Sequence, residues 1–346
     1  GLMNHFRGDG TNYLSVRGDE YKRLTPVYDW MKIPGATIVQ LDKMPGENEI
    51  QKWGLTDYVG AVTDGTYGAV GLDFKSPHTG LAAKKAWFFF DKTYVCLGTN
   101  ISSRMKNQVL TTVNQCLLNG QVTVSDADGI HPQERGSRMK KEVRWVVHDK
   151  VGYYFLNKEN VILSNQRTEG SWKIANRQTT TPTDIIQQDV FTLSVDHGSY
   201  PNNEGYAYMV VPSADPLSIE KQVEEEGVVV LANCPDVQAV RHDGLNMAYA
   251  VFYKGGTLRI HDKIVVEMDA PGMLMVKYND AGEILALGVS DPTRFMKKLH
   301  LSVNQKIVGS AQENIQTEWD EKQALTRITV ELPQNEYAGK SVIYNK

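Results

Sequence analysis

The amino-acid sequence predicts an all-β protein built from two successive antiparallel β-sandwiches. Turn residues recur about every ten positions, β-branched and aromatic runs lie between them, and helical periodicity is nearly absent. The chain has 346 residues, of which 41% are hydrophobic, so it is long enough to bury the cores of two ordinary domains.

The clearest predicted hairpin runs from Val113 to Ser125, where Asn119-Gly120 has the composition of a tight two-residue turn. Two similar hairpins are expected over 86–101, with a turn near Asp91-Lys92, and over 142–156, with a turn near His148-Asp149-Lys150. Further strands are expected at 206–211, 247–253, 257–268, 273–278 and 284–289.

One segment, Asp215 to Gly227, breaks the β pattern. Asp215 can cap a helix that starts at Pro216, and Gly227 can end it. We therefore predict a central β-sandwich over residues 1–213, a linker helix over 214–227 and a C-terminal β-sandwich over 228–346.

Composition excludes several classes of function. The formal net charge is −4, from 37 basic and 41 acidic side chains, so neither nucleic acid nor an anionic membrane is an expected partner. No run approaches the ~18 consecutive apolar residues of a membrane helix, and we expect any export signal to lie outside the chain. Three cysteines without CxxC spacing and eight scattered histidines predict free thiols and no metal site.

Several stretches, in order along the chain, together resemble one known family. They are Gly8 to Leu14, Thr25 to Thr37, Val59 to Gly65, Ala83 to Gly98, Gly152 to Phe155, Gly205 to Pro212 and Leu231 to Val240. Each match alone is weak, but their order and spacing over most of the chain are specific. The sequence resembles the bacterial polysaccharide lyases that include hyaluronate, chondroitin AC and xanthan lyases, with Ala36 where that family often has Thr.

The resemblance implies a fold and a missing part. Members of that family have a helical toroid, then a large galactose-mutarotase-like β-sandwich, then a smaller C-terminal β-sandwich. This chain is similar to the last two, and we expect the toroid to be absent from it. We therefore expect the fragment alone to be inactive.

The family's reaction is β-elimination beside a uronic acid. An Asn neutralises the carboxylate, and a Tyr with a neighbouring His removes the C5 proton, which becomes acidic once the charge is offset. In the family these groups lie on the toroid, so the resemblance assigns none of them to this chain. It implies an acidic polysaccharide as substrate, the toroid as partner and a secreted or periplasmic location.

Asp29 is the one supporting catalytic candidate. The family's central domain places an acid or amide five residues before the Pro34-Gly35 pair, on the far wall of the cleft. The resemblance implies that Asp29 holds a toroid Arg or Tyr by a charge-assisted hydrogen bond. The alternative is an Asp that caps the Pro34-Gly35 turn.

Five further residues are candidate substrate contacts. Tyr13, Tyr28 and Trp30 have rings that can stack on sugar faces. Arg7 and Arg23 belong to a group of basic residues in the first 35 positions, which suits an acidic glycan. The alternatives are core packing for the rings and ordinary surface charge for the arginines.

No cofactor is expected. Asp64, Asp73 and Asp91 are the candidates for calcium, which some lyases of this kind bind, but their spacing is unlike an EF-hand. Two other functions stay open beside the lyase. One is a stand-alone carbohydrate-binding module, and the other is a mutarotase-type enzyme, which needs a His and an acid facing one cavity.

Overall fold

The computed structural model describes residues 2–307 and 314–346. In chain order its strands are β1 (Thr37–Val39), β2 (Val59–Thr63), β3 (Gly68–Lys75), β4 (Ala82–Phe89), β5 (Tyr94–Ser102), β6 (Gln108–Leu117), β7 (Val122–Asp126), β8 (Gly129–Pro132), β9 (Gly136–His148), β10 (Val151–Gly170), β11 (Ile186–Ser199), β12 (Glu204–Pro212), β13 (Val228–Cys234), β14 (Val237–His242), β15 (Met247–Phe252), β16 (Gly256–His261), β17 (Ile264–Met268), β18 (Gly272–Tyr278), β19 (Ile284–Ser290), β20 (Lys298–Val303), β21 (Ile315–Asp320), β22 (Leu325–Glu331) and β23 (Val342–Asn345). Within these residues one α-helix, α1, spans Ile219–Glu226. The all-β prediction is confirmed.

The chain forms two compact units. The first comprises Gly1–Leu55, Phe74–Ala83 and Asn100–Ile219, and the second comprises Thr56–Asp73, Lys84–Thr99 and Glu220–Lys346. The strand β2 and most of β3, β4 and β5 therefore belong with the C-terminal part of the chain. This grouping was not expected from the sequence, because these strands lie far from that part along the chain.

In the first unit, antiparallel pairing gives the strand order β1-β6-β11-β10-β12. The strand β9 also pairs with β10, and β7 pairs with both β8 and β9. The hairpin predicted at Asn119-Gly120 is therefore wrong, although both of its strands exist. The strand β6 pairs with β1 and β11 and not with β7. The turn after β6 is hydrogen-bonded to the end of β9, where the Asn119 N–H donates to Nε2 of His148 at 3.0 Å.

The hairpin predicted over 142–156 is confirmed. The strands β9 and β10 pair from His148↔Val151 onward, and Asp149 and Lys150 form the connection with φ of 50° and 62°. Two consecutive positive φ values match the right-handed twist of the flanking strands. The predicted pairing of β4 with β5 is also present.

In the second unit, residues from 228 onward form a two-sheet sandwich. One sheet has the order β13-β14-β15-β18-β19-β23 and the other β16-β17-β20-β22-β21. Buried side chains of both sheets, such as Phe252, Ile260, Leu274 and Ile328, form one apolar core. The strands β2 and β3 pair with each other in the same unit.

The predicted linker helix is present as α1 but begins at Ile219. Asp215 Oδ1 accepts from the Leu217 N–H at 2.8 Å, so Asp215 and the next three residues form a capped turn before the helix. Gly227 follows the helix with a φ of 63°. The division of the chain into domains at this point stays a prediction. No helix in the described residues is long and apolar enough to cross a membrane.

Candidate functional site

The candidate site residues lie on residues 7–37 of the first unit, which we call the site segment. This segment contains a 3-10 turn at Thr25–Val27 and then enters β1. Two glycines fix its path. A Cβ on Gly170, at the end of β10, would lie 1.9 Å from the Pro26 carbonyl oxygen, and a Cβ on Gly35 would lie 2.1 Å from Asn12 Oδ1. Gly35 also has a φ of 83°, which favours glycine.

Gln115, in the middle of β6, holds the turn that carries Asp29. Its Oε1 accepts from the Asp29 N–H at 2.9 Å, and its Nε2 donates to the carbonyls of Asp29 (3.0 Å) and Lys32 (2.6 Å). The Gln115 side chain is buried, so these three bonds replace its contacts with water. The backbone of a loop is thereby fixed to a central strand.

The Asp29 carboxylate is about 40% exposed and already has local partners. Its Oδ1 accepts from the Met31 N–H at 3.0 Å, and its Oδ2 lies 2.5 Å from Lys32 Nζ. Asp29 therefore caps the turn from 29 to 32, not the Pro34-Gly35 turn. Its proposed bond to a toroid residue stays a prediction, and such a partner would share the carboxylate with Lys32.

Four of the five candidate contact residues form one connected cluster, which we call the aromatic cluster. The Tyr13 and Tyr28 hydroxyls lie 3.4 Å apart, the Tyr28 and Trp30 ring centroids lie 5.1 Å apart, and the Arg7 guanidinium carbon lies 5.8 Å from the Trp30 ring centroid. Burial raises the pKa of Tyr28, so its hydroxyl stays protonated at neutral pH. Tyr13 is 48% exposed, whereas Trp30 is 8% exposed. About half of the Tyr13 side chain is therefore accessible to a ligand, whereas Trp30 is buried within the cluster.

Arg23 lies apart from the aromatic cluster, and no contact described for these residues joins it to the other four. It is exposed and has a φ of 56°, which is uncommon for a residue with a side chain. The preceding loop is organised by Glu20, whose carboxylate accepts from the Ser15 hydroxyl and from the N–H groups of Val16, Arg17 and Gly18 at 2.6 to 2.9 Å.

Glu20 is an ionised carboxylate. Burial alone would raise its pKa, but the hydrogen bonds from Arg17, Ser15 and Val16 outweigh burial and lower the pKa to about 2. Glu20 is therefore an acceptor that shapes the loop, and it has no proton to give at neutral pH.

A small cavity of about 110 Å³ opens beside Asp29. It is lined mostly by hydroxyl and amide side chains of β6, β9, β10 and β11, including Gln115, Ser137, Ser164, Gln166, Thr192 and Ser194. Such a lining can bind water or sugar hydroxyls. It holds no nucleophile paired with a base, so the chemistry it supports is binding and positioning.

Other acid–base pairs of the first unit are structural or separate from this cavity. Cys116 Sγ lies 3.8 Å from His148 Nδ1, but burial raises the pKa of Cys116 and lowers that of His148 to about 4, so both stay neutral. A different cavity, of about 610 Å³, is lined by Glu159, His197, Glu204, Lys141 and others. Burial, together with the Glu204 charge, raises the pKa of Glu159 to about 7.

Two of the three aspartates considered for calcium have lysine neighbours in the second unit, and the third, Asp91, is hydrogen-bonded to Tyr67. Asp64 pairs with Lys277, and Asp73 Oδ2 lies 3.2 Å from Lys84 Nζ. In the described residues no group of three or more His, Cys, Asp or Glu side chains is arranged to hold a metal ion.

Sequence reasoning missed Gln115 and Glu20. Gln115 had one faint signal, a polar residue inside the strand-like run from Val113 to Leu117. Its bonding partners lie more than eighty residues away in sequence, so the signal does not identify them. Glu20 had the signal of a small-residue loop, with Ser15 and Gly18 just before a carboxylate.

Family models match most of the chain. The model for the super-sandwich domain of polysaccharide lyase family 8 matches residues 1–223, and the model for the C-terminal β-sandwich domain of the same family matches residues 229–300.

Curated relatives extend this match. The chain is 35% identical over 347 residues to the chondroitinase-AC of Pedobacter heparinus, covering 99% of this chain and 46% of that protein. It is 27% identical over 305 residues to the xanthan lyase of Bacillus sp. strain GL1, covering 84% and 32%, and 29% identical over 290 residues to a hyaluronate lyase of Thermasporomyces composti, covering 82% and 36%. The chain thus spans less than half the length of each.

Solved structures agree in fold. A structure of chondroitinase AC lyase in complex with oligosaccharides matches with a TM-score of 0.86 and 34% identity, covering 99% of this chain and 48% of that one. The xanthan lyase of Paenibacillus matches with a TM-score of 0.85 at 22% identity, covering 99% and 33%, which is a likeness of fold alone.

Proposed function

The chain belongs to polysaccharide lyase family 8, and we propose that it is the β-domain part of a lyase that cleaves uronic-acid-containing polysaccharide by β-elimination. The observation that carries the proposal is the 35% identity to a chondroitinase-AC over nearly the whole chain. In this proposal the proton-transfer groups belong to a helical toroid outside the 346 residues. Chondroitin or hyaluronan is the substrate, and the enzyme acts in the periplasm or outside the cell.

The role assigned to this chain is to form one wall of the cleft. Asp29 holds a toroid Arg or Tyr in place through a charge-assisted hydrogen bond. The hydrogen bonds between Gln115 and the Asp29 backbone, which we call the Gln115 clamp, support this role. They hold the Asp29 backbone in position before a partner binds to the carboxylate.

The aromatic cluster and the basic side chains would bind the polymer. Tyr13 presents an exposed ring to a sugar face, and Arg7 and Arg23 are exposed cations that suit a carboxylate or sulfate. Ionised Glu20 and neutral Tyr28 have no base or acid role in this proposal. This agrees with a cleft wall that binds the polymer while the toroid performs the proton transfer.

The test compares the 346-residue chain with a full-length protein that includes the helical domain. Elimination creates an unsaturated uronide, whose ultraviolet absorbance reports turnover of chondroitin or hyaluronan. We expect the full-length protein to be active and the 346-residue chain to fold without cleaving. Clear turnover by the chain alone would show that it carries its own catalytic groups.

A matched pair of variants of the full-length protein tests the wall itself. Arg23→Ala should raise KM for the anionic polymer with little change in kcat, because the arginine binds ground state and transition state alike. The control is Arg259→Ala, since Arg259 is an exposed residue of the C-terminal sandwich. Equal effects of the two substitutions would contradict a specific role for the site segment.

If neither the full-length protein nor the 346-residue chain cleaves the polymer but both bind it, the chain is a carbohydrate-binding module.

One observation favours a second candidate function, mutarotation. The 610 Å³ cavity brings a His and acids together, as that function requires, with His197, Glu159 and Glu204 in its lining. A base that takes the anomeric hydroxyl proton and an acid that protonates the ring oxygen would open a sugar ring, and a carboxyl with a pKa of about 7 can do either. Polarimetry of freshly dissolved D-galactose tests it. We expect faster anomer interconversion with the chain than with Glu159→Gln, and equal rates would remove this candidate.

A further inference from the structure

Two histidines that are 73 residues apart in sequence lie side by side in the first unit. The ring centroids of His5 and His78 are 5.4 Å apart at an interplanar angle of 66°, and the Phe6 ring lies 5.5 Å from His78. His5 is almost fully buried. The sequence contains no paired histidine motif, so only the fold brings these two rings together.

Hydrogen bonds fix the tautomer of both rings. His5 Nε2 lies 2.9 Å from the Gly46 carbonyl oxygen, which can only accept, so Nε2 carries the proton. His78 in turn donates to the backbone of His5, and since its Nε2 has no partner, the donor is Nδ1. Burial, with the neighbouring His5, lowers the pKa of His78, which keeps it neutral at pH 7.

The remaining nitrogen of each ring is a bare lone pair. His5 Nδ1 and His78 Nε2 are both buried and without a hydrogen-bond partner. Leaving a buried acceptor unsatisfied is unfavourable, so two of them in adjacent rings need a common explanation. Both are acceptors, and therefore they cannot satisfy each other.

We propose that His5 and His78 form a binding site for one late transition-metal ion, of which Zn²⁺ and Cu²⁺ are the natural choices for imidazole ligands. Histidines that bind metals characteristically donate their second ring N–H to a carbonyl or carboxylate, and both rings do so here. A metal–nitrogen distance of about 2.0–2.1 Å, with each nitrogen roughly 1 Å from its ring centre, lets rings up to about 6 Å apart share an ion.

The supporting loops are held independently of any ion. The Ser76 hydroxyl accepts from the N–H groups of His78 and Thr79, both at 3.3 Å, which shapes the turn that carries His78. Glu49 accepts from the Gly46 N–H, which steadies the carbonyl that binds His5. No third protein ligand joins the pair in the described residues, so water completes the coordination. The ion would tie the start of the chain to the Ser76–Gly80 turn.

The test is titration of the tag-free chain with ZnCl2, and separately with CuCl2, in a buffer that does not bind metals. We expect one ion per chain and a rise in Tm on saturation, because the ion binds only the folded state. His5→Gln and His78→Gln should each weaken binding at least tenfold. The matched controls are His131→Gln, at a half-buried histidine bonded to Asp126, and His300→Gln, at an exposed histidine bonded to Thr329. Both should leave binding unchanged.

A second measurement on the unaltered chain guards against variants that misfold. Imidazole ¹⁵N spectra should show His5 Nδ1 and His78 Nε2 shifting together when Zn²⁺ is added, in the tautomers that the carbonyl partners fix. Absence of stoichiometric binding, or binding that the control substitutions reduce equally, would overturn the proposal. So would unchanged shifts of both nitrogens at saturation, since a bridging water would then be the occupant.

Discussion

The site segment and the C-terminal sandwich are stabilised in different ways. The sandwich core is apolar and continuous, and each of its two sheets contributes many buried side chains. The site segment depends on a few buried polar groups: Gln115 donates two hydrogen bonds and accepts one, and the Glu20 carboxylate accepts four.

This difference has a physical consequence. Dispersion and burial are non-directional, so the sandwich distributes its stability over many contacts. Hydrogen bonds are directional, so the conformation of the site segment is specified by single residues. Substitutions in the sandwich should therefore lower the free energy of unfolding. Substitutions in the site segment should mainly disturb the positions of the candidate site residues.

The largest loss of stability is expected in the sandwich, from Phe252→Ala. Phe252 is 1% exposed in the apolar core, and truncation of such a ring costs about 3–5 kcal/mol in the free energy of unfolding. Urea unfolding followed by circular dichroism measures it. The control is Phe295→Ala, which alters a ring that is 75% exposed and should change the free energy by less than about 0.5 kcal/mol. Similar losses for the two rings would argue against an apolar core as the main source of stability.

In the site segment the largest effect is expected from Gln115→Leu. The substitution keeps the volume but leaves the Asp29 N–H and the Lys32 carbonyl unsatisfied, for a loss of about 2–3 kcal/mol. The Asp29 carbonyl loses one of its two bonds and keeps the one from the Lys32 N–H. Gln108→Leu, in the same strand, is the matched control and should be nearly neutral. The same urea assay applies, and turnover of the full-length lyase should fall as well. A stability loss without any loss of turnover would separate the clamp from function.

A pH-dependent effect is expected from Glu20→Gln. The folded pKa of about 2 lies below the ordinary 4.5, so the ionised form stabilises the fold above about pH 5, and this contribution is lost as pH falls towards 2. After allowance for solvent around the loop, the contribution at pH 7 is about 2 kcal/mol. Urea midpoints at pH 7 and pH 3 should show the difference between the two proteins shrinking at pH 3. Glu321→Gln, at an exposed position, should show no such trend, and a difference independent of pH would contradict the role of the charge.

The smallest effect on stability is expected from Asp29→Ala. Its ion pair with Lys32 is partly exposed and is worth less than about 1 kcal/mol. Turnover of the full-length lyase should nevertheless fall about ten- to a hundredfold, because the toroid partner would be left unsatisfied. Asp29→Asn keeps the bond from the Met31 N–H without the charge and separates the two roles. A large loss of Tm with normal turnover would show that Asp29 only shapes its turn.

Much of the fold was predictable because strands are local patterns. The strands β12, β15, β18 and β19 lie where alternation and turn residues indicate, and the family resemblance is confirmed by both family models. Strand partners were less predictable. Asn119-Gly120 has the composition of a hairpin turn. However, Nδ2 of Asn119 donates to Asp149 and the Asn119 N–H donates to His148, so tertiary contacts override the local preference.

The candidate site was predictable only where its residues are close in sequence. Tyr13, Tyr28, Trp30 and Arg7 were identified together and do form one cluster. Gln115 was not identified, because its role depends on hydrogen bonds between a strand and a loop more than eighty residues away in sequence. The roles of all these residues in substrate binding stay predictions.

The contact between Gly170 and Pro26 has a consequence for how this protein tolerates mutation. Any side chain at residue 170 would meet the Pro26 carbonyl oxygen at 1.9 Å and would push away the turn that precedes Tyr28 and Asp29. The fold could survive such a shift, since the turn lies over the end of a strand. A screen for loss-of-function variants should therefore recover Gly170 substitutions in protein that is still expressed and folded. A position without any side chain would then be as intolerant to mutation as the residues proposed to bind the polymer.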